Sequence, residues 1–426
     1  MPGRVGRRAL LTGGALALAG AGATAAVAAG RPGESTVDFG AQVVPFHGVH
    51  QAGIETPAQA HAAFVALDLR PGTDRAALGR VLRLLTDDAA RLARGAPPLA
   101  DGQPELAAVP ARLTVTFGFG PDLFDAAGLA ARRPESLRPL PAFGIDRLEP
   151  RWCGGDLLLQ ICADDPVTVS HAQRMLVKDA RAFATVRWVQ RGFRRGRGVQ
   201  DDGVTQRNVL GQVDGTANPP PGTGVFAGAV WTDEGPGLAA GRRHDARAAP
   251  HPGRARDVGR GRHRRCRPRA GGTTLVLRRI RAELETWDAA DTAGKEFAVG
   301  RRLADGAPLT GRREHDPLDL RARDAIGFPV IPEFAHAARA HVLDDRQRIF
   351  RRPYNYDEPP AADGTAEAGL IFASFQRDIA RQFLPIQRNL AEADLLDEWI
   401  TPIGSAVFAV PPGCAEGGWI GQTLLG

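Results

Sequence analysis

The order of apolar segments along the chain limits its fold more than any other feature. In the first half, short strand-like apolar runs alternate with longer segments that carry leucines at helical spacing, such as Leu78, Leu82 and Leu85. The predicted elements are a strand, a helix, two strands, a helix and a strand, at residues 62–69, 75–94, 113–117, 157–161, 167–183 and 186–189. This β-α-β-β-α-β order is typical of a ferredoxin-like unit, in which helices cover one face of an antiparallel sheet.

A similar order recurs in the second half of the chain. The predicted elements there are a strand, a helix, a strand, a helix and a strand, at residues 273–280, 281–290, 370–375, 376–392 and 406–410. The two halves share negligible sequence identity, so only the element order indicates a duplication. A length of 426 residues also favours two domains over one. We therefore expect an α+β protein of two ferredoxin-like units with antiparallel sheets.

The N-terminus has the pattern of a signal peptide. A basic start with Arg7 and Arg8 precedes an apolar run and the small-residue stretch Ala26-Val27-Ala28. The arginine pair favours the twin-arginine route, and a plain secretory signal is the alternative. The predicted organisation is a signal peptide at 1–28, a linker at 29–55, an N-terminal domain at 56–220 and a C-terminal domain at 221–426. We expect a folded protein that the twin-arginine translocase delivers to the periplasm, the cell surface or the medium.

The distribution of charge gives no sign of a nucleic-acid-binding surface on the body of the protein. The net charge is +6, but residues 241–270 alone contain eleven arginines against two aspartates, so the rest of the mature chain is mildly acidic. This Arg-rich segment has no apolar periodicity, and we interpret it as an exposed insertion in the C-terminal domain, with a polyanion-binding arm as the alternative. The four cysteines form no CxxC pair, which excludes a disulfide scaffold or a zinc cluster.

Three segments contain residues with catalytic potential. His336 and His341 are candidate iron ligands, because imidazole is a common ligand of biological iron. Asp214 lies in a turn-rich segment, and Arg351 begins a basic stretch. Taken singly, each also fits a structural role, as a core or surface histidine, a tight turn or a strand end.

Several motifs occur together and in one order, and together they favour catalytic roles over structural ones for these residues. The chain resembles the dye-decolorising peroxidase family, and specifically its twin-arginine-exported branch, at residues 46–57, 113–120, 154–160, 212–219, 278–280, 297–302, 335–336, 349–356 and 369–378. The resemblance covers nearly the whole mature chain. It implies haem b (iron protoporphyrin IX), bound between the sheet and the helices of a two-domain ferredoxin-like scaffold.

The resemblance also implies roles for individual residues. His336 matches the proximal haem-iron ligand, Asp214 the distal acid/base and Arg351 the distal arginine, which also contacts the haem. The remaining predicted cofactor-binding residues are Gly215, Thr216 and Ala217, which close over the haem, His341, Val342 and Leu343, which lie near the propionates, and Asp378, chosen as the acceptor for the second ring nitrogen of His336. A solvent-facing helix carboxylate is the alternative for Asp378.

The chain departs from the family pattern at several places, one of which is the Arg-rich insertion between Trp231 and Gly272. Ala337-Ala338-Arg339-Ala340 shifts an arginine by one position after His336, and Pro353 replaces the usual glycine. These departures affect the expected propionate contacts and the expected local folding more than they affect the expected iron ligand.

The predicted function is an exported haem peroxidase that uses hydrogen peroxide to oxidise dyes, phenolic donors or porphyrins. The alternative is a protein for haem or iron acquisition, similar to a deferrochelatase or a haem carrier, with little turnover. The predicted partners are peroxide and a small-molecule electron donor, while iron-uptake proteins and a homo-oligomer stay open. The candidate aromatic residues for electron transfer are Trp152, Trp188, Trp287, Tyr354 and Tyr356, most of them expected in the core.

Overall fold

The structure is a computed structural model, and it describes residues 38–201, 203–232, 271–342 and 344–425. The predicted signal peptide, the first part of the predicted linker and the Arg-rich segment 241–270 lie outside these residues. Leu343 also lies outside them.

Nine strands and nine α-helices follow one another within the described residues. The strands are β1 His61–Leu69, β2 Thr114–Phe119, β3 Leu157–Ala163, β4 Ala184–Phe193, β5 Thr273–Ala282, β6 Phe350–Arg351, β7 Tyr354–Glu358, β8 Glu367–Gln376 and β9 Ile400–Val410. The helices are α1 Arg75–Ala93, α2 Pro121–Ala126, α3 Pro166–Ala180, α4 Gly224–Val230, α5 Leu284–Ala289, α6 Thr292–Val299, α7 His336–Arg339, α8 Leu384–Ala393 and α9 Gln422–Leu425. A π-helical turn, Ile379–Phe383, leads into α8.

The strands form two antiparallel sheets with the same internal order. The N-terminal sheet has the order β2-β3-β1-β4, and the C-terminal sheet has the equivalent order β7-β8-β5-β9. The sheets join where Phe119 pairs with Ala409 and where Phe193 pairs with Asn355. Eight strands therefore close into a barrel, while β6 extends the line of β7 along β8. This is the predicted α+β arrangement of two ferredoxin-like units.

The barrel strands are buried on both faces. On β1, Phe64 packs inside the barrel with Tyr354 and Phe408, whereas Val65 packs on the outer face under the helix residue Leu82. A strand that is covered on both faces needs no polar alternation, which explains why the sequence shows unbroken apolar runs. These runs are the segments that the sequence identified correctly.

Three element predictions for the C-terminal half were wrong in detail. The predicted helix 281–290 begins only at Leu284, because β5 continues to Ala282. The predicted helix 376–392 starts as strand β8, passes through the π-helical turn and becomes α8 at Leu384. Strands β6 and β7 were missed. The segment between them contains Pro353, which has no N–H for a sheet hydrogen bond and interrupts the strand pattern.

Within the described residues, no helix combines the length and the apolar character that a bilayer crossing requires.

The packing of α1 against α3 generates a pH-dependent prediction. Asp88 on α1 is buried, and this burial raises the pKa of its carboxyl group to about 7. A hydrogen bond to Asp179 on α3 and the negative charge of Asp179 act in the same direction. The folded state therefore retains a proton that the unfolded chain releases near pH 4, so the stability that this proton contributes is lost progressively as the pH rises from about 4 to about 7. We expect Asp88→Asn to raise the thermal unfolding midpoint by a few degrees at pH 8 and by clearly less at pH 5.

The matched control is Asp288→Asn, which changes an exposed aspartate on α5. Thermal melts of both variants and the parent protein across this pH range check the prediction. An Asp88→Asn effect of equal size at pH 5 and pH 8 would contradict it.

Candidate active site

A cavity of about 430 Å³ lies on the outer face of the C-terminal sheet. Its volume is within the roughly 300–1,000 Å³ that is usual for ligand sites. The sheet contributes Arg278 and Ile280 from β5 and Leu370 and Phe372 from β8, and further walls come from α7, α8 and the loops at 208–217 and 314–318. The cavity therefore lies between a sheet and helices, where the sequence placed the cofactor.

Within the described residues, His336 is the only cavity histidine that is bonded to a buried carboxylate. Its Nδ1 lies 2.6 Å from Oδ2 of Asp394, a side chain that is 1% exposed. Its own side chain is 30% exposed, on the cavity side, and Nε2 has no protein hydrogen bond among the described residues. A carboxylate bound to one ring nitrogen fixes the imidazole and leaves the other nitrogen free to bind a metal.

The pKa of His336 reflects the same contact. Burial lowers the pKa of the ring, but the charge and the hydrogen bond of Asp394 outweigh burial, so the pKa lies above the ordinary histidine value. The charges of Arg351 and Asp214 also act on this ring, in opposite directions. The charges of His336, Asp214 and Arg351 therefore interact with one another within the same cavity.

Asp394 is the residue that the sequence missed, and the choice of Asp378 was wrong. Asp378 caps the π-helical turn, where its side chain accepts the backbone N–H groups of Ala380 and Arg381. Asp394 lies 58 residues from His336 in the chain, so no local spacing connects the two. Asp394 is one of four acidic residues between positions 392 and 398, so no local signal in the sequence singles it out.

Backbone contacts bring His336 and Asp394 together. The N–H of Leu395 donates to the carbonyl of Phe334, two residues before His336, at 2.9 Å. On the other side, Gly300 ends α6 with φ of +79°, and an added Cβ would lie 3.2–3.3 Å from Ile331, Ala335 and Ala337. Glycine is required there because the backbone is left-handed and the loop before α7 approaches closely.

The second charged pair of the cavity joins Asp214 and Arg351. Nη1 of Arg351 donates to Oδ1 of Asp214 at 2.9 Å, and the two side chains are 23% and 10% exposed. A guanidinium stays protonated at any working pH and has several N–H donors, so one contact with Asp214 leaves others for a bound anion. The pair provides a proton acceptor next to a fixed positive charge.

A tight turn presents Asp214 to the cavity. The N–H of Asp214 donates to the carbonyl of Gln206 at 2.8 Å, and Gly215 follows with φ of +135°. Beyond it, the hydroxyl of Thr216 donates to Glu314 at 2.8 Å. The turn is therefore bonded on both sides of Asp214.

The other predicted cofactor-binding residues divide into three groups. Thr216, Ala217, His341 and Val342 line the cavity together with Arg351. Gly215 is not among the described residues that line it, and its positive φ serves the turn instead. Leu343 lies outside the described residues.

Arg301 and Arg348 are cavity arginines to which the sequence assigned no role. Arg301 donates to the carbonyls of Gly306 and Glu314 at 2.8 and 2.9 Å, and burial lowers the pKa of its guanidinium. Arg348 pairs with Asp345 at 2.7 Å. Both line the cavity and can donate hydrogen bonds to a carboxylate.

The candidate aromatic residues are mostly in the core. Trp188, Trp287, Tyr354 and Tyr356 are buried, whereas Trp152 is half-buried. Trp152 lies against the guanidinium of Arg279, 4.4 Å from its ring centroid. Among the five candidates, only this side chain is not fully buried.

The cavity fits a haem by the chemistry of its walls. His336 offers a free nitrogen whose ring is held from behind, which is the arrangement of an axial iron ligand. Apolar side chains from both β8 and α8 suit the porphyrin faces, and Arg301 and Arg348 suit its carboxylates. The propionate contacts predicted for His341 and Val342 stay predictions.

Two family models match the chain. Residues 51–194 match the N-terminal domain of DyP-type peroxidases, and residues 263–415 match the C-terminal domain. The matched regions contain β1–β4 and β5–β9 respectively, so each ferredoxin-like unit corresponds to one family domain.

Individual relatives extend over almost the whole chain. The dye-decolorizing peroxidase of Thermobifida fusca is 40% identical, with 98% of this chain and 97% of the relative covered. A deferrochelatase of Yersinia pestis is 34% identical, with 98% and 94% covered. The crystal structure of a DyP-type peroxidase from Cellulomonas bogoriensis is 49% identical, with a TM-score of 0.80 and coverage of 91% and 99%.

These matches agree with the cavity and with the paired sheets. The expected fold class, enzyme class and haem cofactor are confirmed, because this chain belongs to the DyP-type peroxidase family and is a haem-dependent peroxidase.

Proposed function

We propose that this protein is an exported haem b peroxidase that oxidises bulky organic donors, such as dyes, phenols or porphyrins. One observation carries the proposal. A single cavity contains a histidine held by a buried carboxylate and a second carboxylate held by a guanidinium. The first pair suits iron ligation, and the second suits proton transfer beside a developing negative charge.

The haem, when bound, supplies the iron and the porphyrin that take up the two oxidising equivalents of hydrogen peroxide. Asp214 acts on the peroxide protons. Its carboxylate accepts a proton from one oxygen and returns it to the other, which prepares that oxygen to leave as water. Arg351 holds Asp214 at 2.9 Å and stabilises negative charge with its remaining N–H groups.

Asp394 holds His336, the proposed iron ligand, in position. Its second oxygen accepts the N–H of Leu396 at 3.0 Å, so the carboxylate cannot rotate away from His336. A ligand that is fixed in this way remains oriented while the charge of the site changes. The conformation of His336 is therefore set before the cofactor binds.

A bulky donor has little room inside a cavity of about 430 Å³ that the cofactor itself fills. We infer that such donors transfer electrons from outside the cavity. Trp152, the half-buried candidate, lies near Arg279, which also stacks on Tyr356 at 3.6 Å. The contacts of Trp152, Arg279 and Tyr356 support a path for electrons through the barrel.

The second candidate function is haem or iron acquisition. It is favoured by the 34% identity to a deferrochelatase over nearly the full chain. The two functions are separable by product analysis with haem as the added substrate. Release of iron with the porphyrin ring intact supports acquisition, and peroxide-dependent oxidation of guaiacol or a dye supports the peroxidase.

The iron ligand is tested by replacing each cavity histidine. We expect His336→Ala to abolish stable haem incorporation, because it removes the only strong bond from the protein to the iron. His341→Ala is the matched control and should retain haem, since His341 is exposed at the edge of the cavity. The measurement is the Soret absorbance per protein after purification, and the reverse result would refute the assignment of His336.

The distal pair is tested by stopped-flow mixing of the holoprotein with peroxide. We expect Asp214→Asn to lower the second-order rate constant by roughly a hundred- to ten-thousand-fold, the usual contribution of a positioned acid/base. Arg351→Leu should cost at least as much if charge stabilisation dominates. Wild-type rates in both variants would exclude this pair from peroxide chemistry and favour a haem carrier.

The export route is tested at the N-terminus. We expect replacement of Arg7 and Arg8 by lysines to leave the protein inside the cell, because the twin-arginine translocase reads that pair. Cell fractionation with immunodetection measures the outcome. Undiminished export of the lysine form would indicate the general secretory route instead.

A further inference from the structure

The short strand β6 has a free edge at the point where it carries Arg351. Its one strand partner among the described residues is β8, and the N–H of Arg352 donates to Ala373 on that side at 2.8 Å. Because successive residues of a strand point their backbone groups to opposite sides, the N–H and C=O of Arg351 face away from β8. Such groups need another partner at the wall of a cavity.

The side chain of Asn218 provides that partner in both directions. Its Oδ1 accepts the N–H of Arg351 at 2.9 Å, and its Nδ2 donates to the C=O of Arg351 at 2.7 Å. One carboxamide therefore takes the place of a neighbouring strand. These contacts are separate from the ion pair between Arg351 and Asp214.

Asn218 belongs to the turn that presents Asp214. Its own N–H donates to the carbonyl of Gly215 at 2.9 Å, which closes the turn between the two residues. The turn thus binds Arg351 twice. Asp214 holds the guanidinium, and Asn218 holds the main chain.

We propose that Asn218 is a positioning residue that keeps Arg351 in place while Asp214 gains and loses a proton. This inference rests on the proposed function of the distal pair. An ion pair weakens when its carboxylate is protonated, so Asp214 alone cannot hold Arg351 through the reaction. A carboxamide has no charge to lose, and its two hydrogen bonds persist in every protonation state of Asp214.

The test compares Asn218→Ala with the parent holoprotein. We expect the second-order rate constant for peroxide to fall roughly ten- to a hundred-fold, as expected for two lost hydrogen bonds. The Soret absorbance per protein should not change, because Asn218 is not among the cavity-lining residues described. The affinity of the ferric protein for fluoride should fall as well, since this anion also depends on the guanidinium of Arg351.

The matched control is Asn389→Ala. Asn389 is exposed and donates to the carbonyl of Arg339 at 2.9 Å, so the variant removes a similar bond at a distance from Arg351. We expect parental peroxide and fluoride values. A wild-type rate and fluoride affinity in Asn218→Ala, measured beside a slow Arg351→Leu, would overturn the inference and leave the proposed function intact.

A double-mutant cycle separates positioning from other effects. If Asn218 acts through Arg351, then Asn218→Ala should add little to the loss already caused by Arg351→Leu. Full additivity would overturn the inference. A wild-type rate in Arg351→Leu would remove the proposed role of the distal pair, and the inference with it.

If Asn218→Ala does not fold, Asn218→Ser takes its place in each measurement. The serine hydroxyl can replace one of the two bonds, so we expect a smaller loss of rate and fluoride affinity. Parental values in this variant would overturn the inference in the same way.

Discussion

The pairing of β5 with β8 is the constraint on which the site depends. Nine residue pairs fix the register, among them Arg278 with Phe372 and Ile280 with Leu370, and these residues form the sheet side of the cavity. A shift by one residue would turn these side chains into the barrel. Gly369 shows how close the strands lie, because an added Cβ would be 2.0 Å from the carbonyl oxygen of Ile280.

The same strand β8 also positions Arg351 through its other edge. β6 pairs with β8 over only two residues, so the backbone there needs support from outside the sheet. That support comes from the turn with Asp214 and Asn218, which lies more than 130 residues earlier in the chain. The arrangement of Asp214 and Arg351 that we propose to be catalytic is thus a product of long-range packing rather than of any local motif.

Much of the fold follows from local sequence pattern, and the reason is burial. Strands such as β1 and β3 are covered on both faces, so their apolar runs are continuous and easy to recognise. β6 and β7 were missed because charged residues, Pro353 and Asn355 break any apolar run. A sheet partner, and not the intrinsic preference of these residues, makes that segment a strand.

The site was only partly accessible from sequence for a similar reason. His336, Asp214 and Arg351 were identified from a resemblance, and the structure brings all three to one cavity. Asp394 and Asn218 were assigned no role, because each acts by a contact that only the folded chain creates. Asp378 was chosen as the acceptor for the second ring nitrogen of His336. The structure instead places its Oδ1 on two backbone N–H groups at the start of the π-helical turn, and Asp394 lies beside the imidazole.

The two charged pairs of the cavity differ in a way that suits their separate tasks. Asp394 is 1% exposed and bonded at both oxygens, so it holds the ring of His336, the proposed iron ligand, in one orientation. Asp214 is more exposed, and among the described residues its side chain bonds to the permanent cation Arg351 through Oδ1, so Oδ2 remains available for exchangeable protons. In the proposed function, the immobile carboxylate orients the iron ligand and the accessible one transfers protons. The partners of the two acids differ in the same way. Asp394 binds an imidazole, which can be neutral and so can bind a metal, whereas Asp214 binds a guanidinium, which stays positively charged.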